Sequence, residues 1–303
     1  MNRRLAIFVL ALAGLNTFAG TVVRLATYNV ENYLDAPTAT RPHVKSAEAK
    51  AKVRETIRTL NPDVIALEEM GTTNALLELR ASLKNDGLDF PFWEHVSGFD
   101  PSIHVAVLSK LPIVARRPHT NDFFLLDGKR FQVKRGFAEV DLQAATNFVF
   151  TLFVAHLKSH LTTAEADEAE ERLGEAKVLR GLLDARLARE PAANLVVAGD
   201  FNDTPDSAAV KEVIGHGARQ LTDPRPAERN GDHAAGEPPY LVPRRSVWTY
   251  YYGKNDTFSR IDYLLLSATL KNRRITEATY IPNLPDWGVG SDHRPLLVTL
   301  KLP

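Results

Sequence analysis

The sequence predicts a four-layer α/β sandwich, with two packed sheets and helices on the outside. Ten short runs rich in β-branched and aromatic residues read as strands, and a few amphipathic segments between them read as helices. The 303 residues contain no internal repeat and no long linker, so one large domain has to hold them. Strands in that number divide between two sheets that bury their inner faces against each other.

Segment 1–19 reads as a processing signal ahead of this fold. Arg3 and Arg4 give a positive start, residues 5–15 an apolar stretch, and Thr17-Phe18-Ala19 a small-residue end before Gly20. The stretch is shorter than the roughly 20 residues that span a bilayer. It predicts a signal peptide, export to the periplasm or medium, and a catalytic domain over 20–303. No later run is long and apolar enough to span a membrane.

Strands are expected at 22–30, 63–69, 103–109, 131–142, 148–157, 195–198, 247–252, 261–266, 275–281 and 295–300. The first helix, 46–60, has Val53, Ile57 and Leu60 at helical spacing, Ser46 as N-cap and Asn61-Pro62 as its stop. The second, 163–190, carries Leu173, Val178, Leu179, Leu182, Leu183 and Leu187 on one stripe, which should lie on a sheet. A third starts at Thr204-Pro205-Asp206. Asp127-Gly128 after an apolar run reads as a hairpin turn. Residues 222–245, with five prolines and two glycines, read as an irregular excursion or a loop that shapes a binding surface.

The chain has no cysteine, which excludes disulfide scaffolds, thiol nucleophiles and thiolate zinc sites. Any metal has to sit on oxygen or imidazole. Lys and Arg total 37, as do Asp and Glu, so net charge alone does not attract a polyanion. A local basic cleft remains open.

Polar groups fall at the ends of the apolar strands. Asn29 closes LATYNV, Glu69 closes DVIALEE, His156 closes FVFTLFVAH, and Asp200 and Asn202 follow NLVVA. Asp262 sits inside RIDYLLL, and Asp292 and His293 precede PLLVTL. Singly, each has an ordinary structural explanation as a turn residue, a cap or a hydrogen-bonded core group. Together they supply oxygen ligands for a hard divalent cation, a base for water, a carboxylate to orient that base, and donors for phosphoryl oxygens. A Walker-type phosphate loop, a G-x-S-x-G elbow and an H-E-x-x-H helix are all missing from the sequence.

The blocks ATYNVEN (26–32), NPDVIALEEM (61–70), VAVLSKLPIV (105–114), VAHLKSH (154–160), AGDFNDTPDS (198–207), RIDYLLLS (260–267) and SDHRPLLVTL (291–300) occur in this order. The set resembles the signature of the endonuclease/exonuclease/phosphatase superfamily, the deoxyribonuclease I-like fold, over essentially the whole chain after residue 19. The resemblance implies an αββα sandwich of two mostly antiparallel sheets, and in-line hydrolysis of a phosphate ester with Mg2+, or with Mn2+ or Ca2+, at the strand ends.

It also implies residue roles. Glu69, Asn29 and Asp292 match the metal-side positions, Asp200 and Asn202 the pair that positions water and contacts the phosphate, and His293 the general base oriented by Asp262. His156 matches a donor to the phosphoryl or leaving oxygen, which leans toward the nuclease and phosphodiesterase branches. Arg135 and Lys158 are expected phosphate contacts. Glu68 stands where the family often has glutamine; strand alternation predicts that it points to the other face. Asp203 is expected to cap the helix that follows.

Nucleic acid is the expected partner, with no obligate protein partner. Export makes DNA the expected substrate, and Trp248, Tyr250, Tyr251, Tyr252 and Trp287, interleaved with Arg244, Arg245, Lys254 and Arg260, could flank a backbone and stack on bases. The alternatives are a phosphodiesterase or phosphatase acting on a phospholipid or phosphoinositide headgroup, for which the run from Phe123 to Gly128 is the one candidate for an apolar hairpin, and a non-catalytic binding protein.

Overall fold

Alternation along β1 (Thr21–Tyr33) sets the architecture, because both faces of this strand are apolar. Val23 and Leu25 face one core, and Ala26 and Tyr28 face another. The computed structural model describes residues 20–228 and 246–303. The expected signal segment 1–19, Arg244, Arg245 and most of 222–245 lie outside the described residues.

β1 lies inside a seven-stranded sheet with β2 (Val64–Met70), β3 (Phe92–Val96), β4 (His104–Ser109), β11 (Ala227–Glu228), β15 (Tyr280–Ile281) and β16 (Leu296–Leu302). The order is β11-β15-β16-β1-β2-β4-β3. The second sheet holds β5 (Ile113–Arg116), β8 (Phe137–Ala145), β9 (Phe148–His156), β10 (Leu195–Asp200) and β14 (Asp262–Leu266), in the order β14-β10-β9-β8-β5. Pairings are mostly antiparallel; β1 with β2, β9 with β10 and β11 with β15 are parallel. The expected four-layer sandwich is therefore the observed fold.

Three cores separate the layers. Between the sheets, Val23, Leu25, Val64 and Val107 meet Val140, Leu152, Val196 and Leu264. Outside the first sheet, Tyr28 and Ile65 pack on Val53 and Ile57 of α1 (Ala47–Leu60) and on Leu76 and Leu79 of α2 (Thr73–Asn85). Outside the second, Phe153 and Val197 pack on Leu179 and Leu183 of α3 (Glu168–Arg189) and on Val210 and Val213 of α4 (Ala208–Ile214). Among the described residues, no helix is long and apolar enough to cross a membrane.

Local chemistry explains the agreements and the corrections. Ser46 caps α1 by accepting from the Ala49 amide, and Asn61 ends it in the left-handed region. Asp127-Gly128 makes the two-residue turn between β6 (Phe123–Leu126) and β7 (Lys129–Gln132), both residues having positive φ. The expected strand 131–142 splits into β7 and β8, with Gly136 left-handed at the break. The expected strand 275–281 keeps only β15, because 276–278 form a 3₁₀ turn. The third helix starts later than Thr204: its cap is Ser207, whose hydroxyl accepts from the Val210 amide. Asp203 is not that cap; it accepts instead from Arg172 Nε at 2.9 Å. Helix α2 and strand β3 are additions to the elements expected from the sequence.

One edge of the second sheet predicts acid sensitivity. Arg117 donates to Glu139 and Asp141, and His119 lies 3.0 Å from Glu139. Burial works against both carboxylates. Bonds from His119 and Arg117 outweigh it at Glu139, as do bonds from Arg117 and Thr151 at Asp141, so both are held below the usual carboxylate range. The folded state then binds fewer protons than the unfolded one, and this stability is present above the unfolded carboxylate pKa and lost as pH falls through the folded one. Urea midpoints should drop on acidification below about pH 4 less steeply in Arg117→Gln than in wild type; parallel curves would refute this.

Candidate active site

Strand register gathers the polar groups at one end of the inter-sheet core. Residues paired across a ladder share a face, and every second residue along a strand returns to it. The inward series Val23, Leu25 and Thr27 continues to Asn29, and Val64 and Ala66 continue to Glu68. In the other sheet, Leu152 and Val154 lead to His156, Val196 and Ala198 to Asp200, and Leu266 and Leu264 to Asp262. Asp200 pairs with both His156 and Asp262. These groups close the apolar core with a polar floor. β16 runs antiparallel to β1, so His293, just ahead of β16, enters at the same end.

The central contact is an imidazole between carboxylates. His293 Nδ1 lies 2.9 Å from Asp262 Oδ2, while Nε2 lies 3.8 Å from both Asp200 Oδ2 and Asp292 Oδ1. The Ser291 hydroxyl accepts from the His293 amide at 3.0 Å and donates to the Asn29 carbonyl at 2.7 Å, locking this segment to β1. Burial alone would depress His293, but Asp262, by charge and hydrogen bond, with Asp200 and Asp292 beyond it, holds it well above the usual histidine value. His156 Nε2 lies 3.5 Å from Asp200 Oδ2. Burial, then the charges of Arg135 and His293, keeps His156 well below the usual value, so it is a neutral imidazole.

Glu69 reaches the cluster through a break in alternation. Its φ is 58°, and the β1–β2 and β2–β4 registers shift beside it. Its carboxylate accepts from the Asn32 amide at 3.0 Å. Asn29 Nδ2 donates to Asp200 Oδ2 at 2.9 Å and lies 3.4 Å from Glu69 Oε1, while its Oδ1 accepts from the Glu31 amide. Asn29, expected on the metal side, here braces two carboxylates. Glu31, Asn32, Glu69 and Asn202 all have positive φ without being glycine, a concentration of backbone strain typical of a functional site. Asn202 is thus not extended beside Asp200: its amide N–H donates to Asp200 Oδ1, and its side chain to the Leu157 carbonyl at 2.9 Å.

Glu68 does not point away from the site, contrary to the alternation expectation. It shares the inward face with Asn29 and accepts from Thr27 Oγ1 at 2.9 Å beneath the cluster. The left-handed step falls at Glu69, so Glu68 keeps the inward direction and Glu69 is the residue that is turned. Burial and then the charge of Asp262 push the Glu68 carboxyl well above the usual range.

The two expected phosphate contacts differ. Arg135 is buried beside His156, its Nη1 donating to the Leu157 carbonyl and its Nε having no hydrogen-bond partner. Lys158 donates its ammonium to the carbonyls of Ser159 and Leu161. A residue missed by sequence reasoning holds both segments: Glu175 of α3, fully buried, accepts from the Lys134 amide at 2.9 Å and the Lys158 amide at 2.6 Å. A charged residue in a charged helix carries no sequence signal of that role.

The donor set fits a hard divalent cation. Burial, followed by the negative charges of Glu31 and Glu69, pushes Asp292 up to about 7 despite His293. Burial and Asp262 push Asp200 up to about 7. Carboxylates that repel one another in this way are what a cation relieves, and Asp262 Oδ1 is buried with no partner. Asp200, Asp262 and His293 bring one ligand atom each within 4.8 Å of one another. Asp262 is already hydrogen-bonded to His293, and Glu69 and Asp292 are the further carboxylates that would offer oxygen to a cation.

Solved structures share this fold. Sphingomyelinase C from Streptomyces griseocarneus aligns with a TM-score of 0.58 at 18% identity, covering 92% of this chain and 99% of that one. A mutant beta toxin from Staphylococcus aureus with bound magnesium ions gives 0.60 at 15%, over 93% and 100%. The human nocturnin catalytic domain with bound sulfate gives 0.59 at 14%, over 92% and 93%. No curated protein matches the sequence. At these identities the structures establish the fold. Residues 26–293 match the endonuclease/exonuclease/phosphatase family, and with the fold and the strand-end cluster in place, the chain belongs to that family.

Proposed function

We propose that this hydrolase of phosphodiester bonds is a divalent-metal-dependent endonuclease, exported, that acts on DNA. The observation that carries the chemistry is the His293–Asp262 pair at 2.9 Å with Asp200 beside it. Asp262 fixes the ring so that Nε2 faces the cluster, and there the neutral form of the ring takes the proton from the attacking water at Nε2. Asp200, braced by Asn29 and by the Asn202 amide, orients that water. The water oxygen bonds to phosphorus, the opposite P–O bond breaks, and the products are a phosphomonoester and an alcohol. His156, neutral and held beside Asp200, donates to a phosphoryl or leaving oxygen, with Arg135 adding positive charge behind it. Glu69 and Asp292 would hold a cation, Mg2+ by the chemistry of an all-oxygen set, which supplies charge stabilisation to the phosphoryl oxygens.

The export expected from segment 1–19 and the rings of Tyr250 and Tyr252, the first of them 4.7 Å from the His293 ring, support DNA. A second reading, a phospholipid headgroup phosphodiesterase, is supported by the β6–β7 hairpin, which turns Phe123 and Leu125 to solvent at 47% and 68% exposure. Supercoiled plasmid, RNA, a phosphoinositide and sphingomyelin, each incubated with Mg2+, Mn2+, Ca2+ or chelator, separate the two. Plasmid nicking is expected, abolished by chelator and restored by Mg2+. Nicking unaffected by chelator, or turnover of sphingomyelin without DNA cleavage, would overturn the proposal.

A further inference from the structure

We propose that Tyr252 is a nucleobase platform of the active site, held at a fixed step from His293 by the ring of Tyr250. This rests on the nuclease reading above and names a specificity element within it.

The strand that carries these rings is stitched to the catalytic segment. β12 (Tyr250–Tyr252) and β13 (Thr257–Ser259) form a hairpin, and Tyr250 forms a β-bridge with His293. The Tyr251 amide donates to the Asp292 carbonyl at 3.0 Å, and the Arg294 amide to the Thr249 carbonyl at 2.6 Å. The hairpin is therefore a wall of the site, fixed by main-chain bonds on both sides of the base.

Tyr250 and Tyr252 are two apart and share one face of this wall. The Tyr250 ring lies 4.7 Å from the His293 ring, and the Tyr252 ring 6.3 Å from the Tyr250 ring at an interplanar angle of 28°. The result is a file of three rings leading outward from the general base. Its outermost member, Tyr252, is 39% exposed. Among the described residues, neither phenol has a hydrogen-bond partner, whereas Tyr251 on the opposite face donates to Asp256 at 2.9 Å.

That opposite face accounts for the stability of the hairpin. Tyr251 packs on Phe258 at 4.7 Å, Trp248 on Phe258 and Trp287 at 4.8 and 5.1 Å, and the Arg294 guanidinium lies 3.3 Å over Trp248. Tyr252 takes no part in this anchor, so its exposed ring is not explained by packing. In DNA, a flat base lies one sugar away from each phosphate. A file of rings tilted by 40° and then 28°, ending in an exposed ring, suits such a base. A quaternary ammonium headgroup would instead call for faces converging around one point, which the file does not provide.

Steady-state kinetics of the full protein with Mg2+ test this on an oligodeoxynucleotide and on the same strand carrying tetrahydrofuran abasic residues around the cleavage site. Tyr252→Ala should raise KM for the intact strand about tenfold, the loss in kcat/KM being carried by KM. Tyr252→Phe should stay within about twofold of wild type, because the ring and not the hydroxyl is the platform. Abasic DNA should erase the difference between Tyr252→Ala and wild type. An equal rise on both strands, or a rise confined to a choline phosphodiester, would overturn the platform. DNA cleavage by wild type with an unchanged Tyr252→Ala overturns this inference alone, while a wild type that cleaves no DNA overturns the nuclease reading with it.

Discussion

His293→Ala is expected to lower phosphodiester hydrolysis by about 10²–10⁴-fold, the contribution typical of a positioned general base. The structure adds a cost in stability. His293 and Asp262 are both buried, their side chains 5% and 2% exposed, and they lie 2.9 Å apart. Removing the imidazole leaves a buried carboxylate whose other oxygen already has no partner. Breaking a buried pair in this way costs roughly 3–5 kcal/mol at worst, and less where the survivor takes up a proton. Asp262→Asn separates the two effects. It preserves shape and removes the charge, so the fold should hold while the ring loses the partner that fixes its tautomer. A loss of about 10²–10⁴-fold is again expected, by analogy with the carboxylate of other hydrolytic triads. Rates measured at a temperature where circular dichroism shows each variant folded decide the matter. Near-normal turnover in His293→Ala would end the assignment of the base.

The parts of this site legible in sequence are those that depend on strand ends. Asn29, His156, Asp200 and Asp262 each terminate or open an apolar run, and register then brings them together without any long-range information beyond sheet formation. Glu68 and Glu69 could not be ordered this way. Alternation gives opposite faces to neighbours, and only the left-handed φ of Glu69, set by the bulge beside β1, decides which carboxylate is turned. Glu175 and Arg172 were hidden for another reason: a charged residue on a helix reads as solvated, and the loops that bury these two arrive from distant sequence. Helix α2 did carry a signal, with Leu76, Leu79 and Leu83 at helical spacing behind the cap Thr72. The hairpin of Tyr250 to Tyr252 was legible as aromatic and strand-like, but not as the wall beside His293, because the bridge that joins them spans 43 residues of sequence.

The second large effect is expected at a residue with no chemistry of its own. Gly199 precedes Asp200, has φ of +141°, and pairs with Ala155 across the parallel ladder. A Cβ added there would stand 1.8 Å from the Ala155 carbonyl oxygen. That is backbone and cannot be moved by a change of rotamer. Gly199→Ala must therefore separate β9 from β10 or change φ, and the adjacent pair in the ladder is His156 with Asp200. Strained φ costs about 1–3 kcal/mol, and forcing an atom into packed backbone about as much again. A loss of roughly 3 kcal/mol or more in denaturant unfolding is expected. Activity should fall further than the folded fraction does, because the 3.5 Å spacing of His156 and Asp200 depends on the same ladder. Where the variant is more than nine-tenths folded, kcat/KM should be reduced by at least about tenfold, since displacements near 1 Å in a catalytic constellation cost that much or more. Wild-type stability together with wild-type kcat/KM in Gly199→Ala would mean that the ladder tolerates a side chain there, and that the close approach of β9 and β10 is not what holds the catalytic row in register.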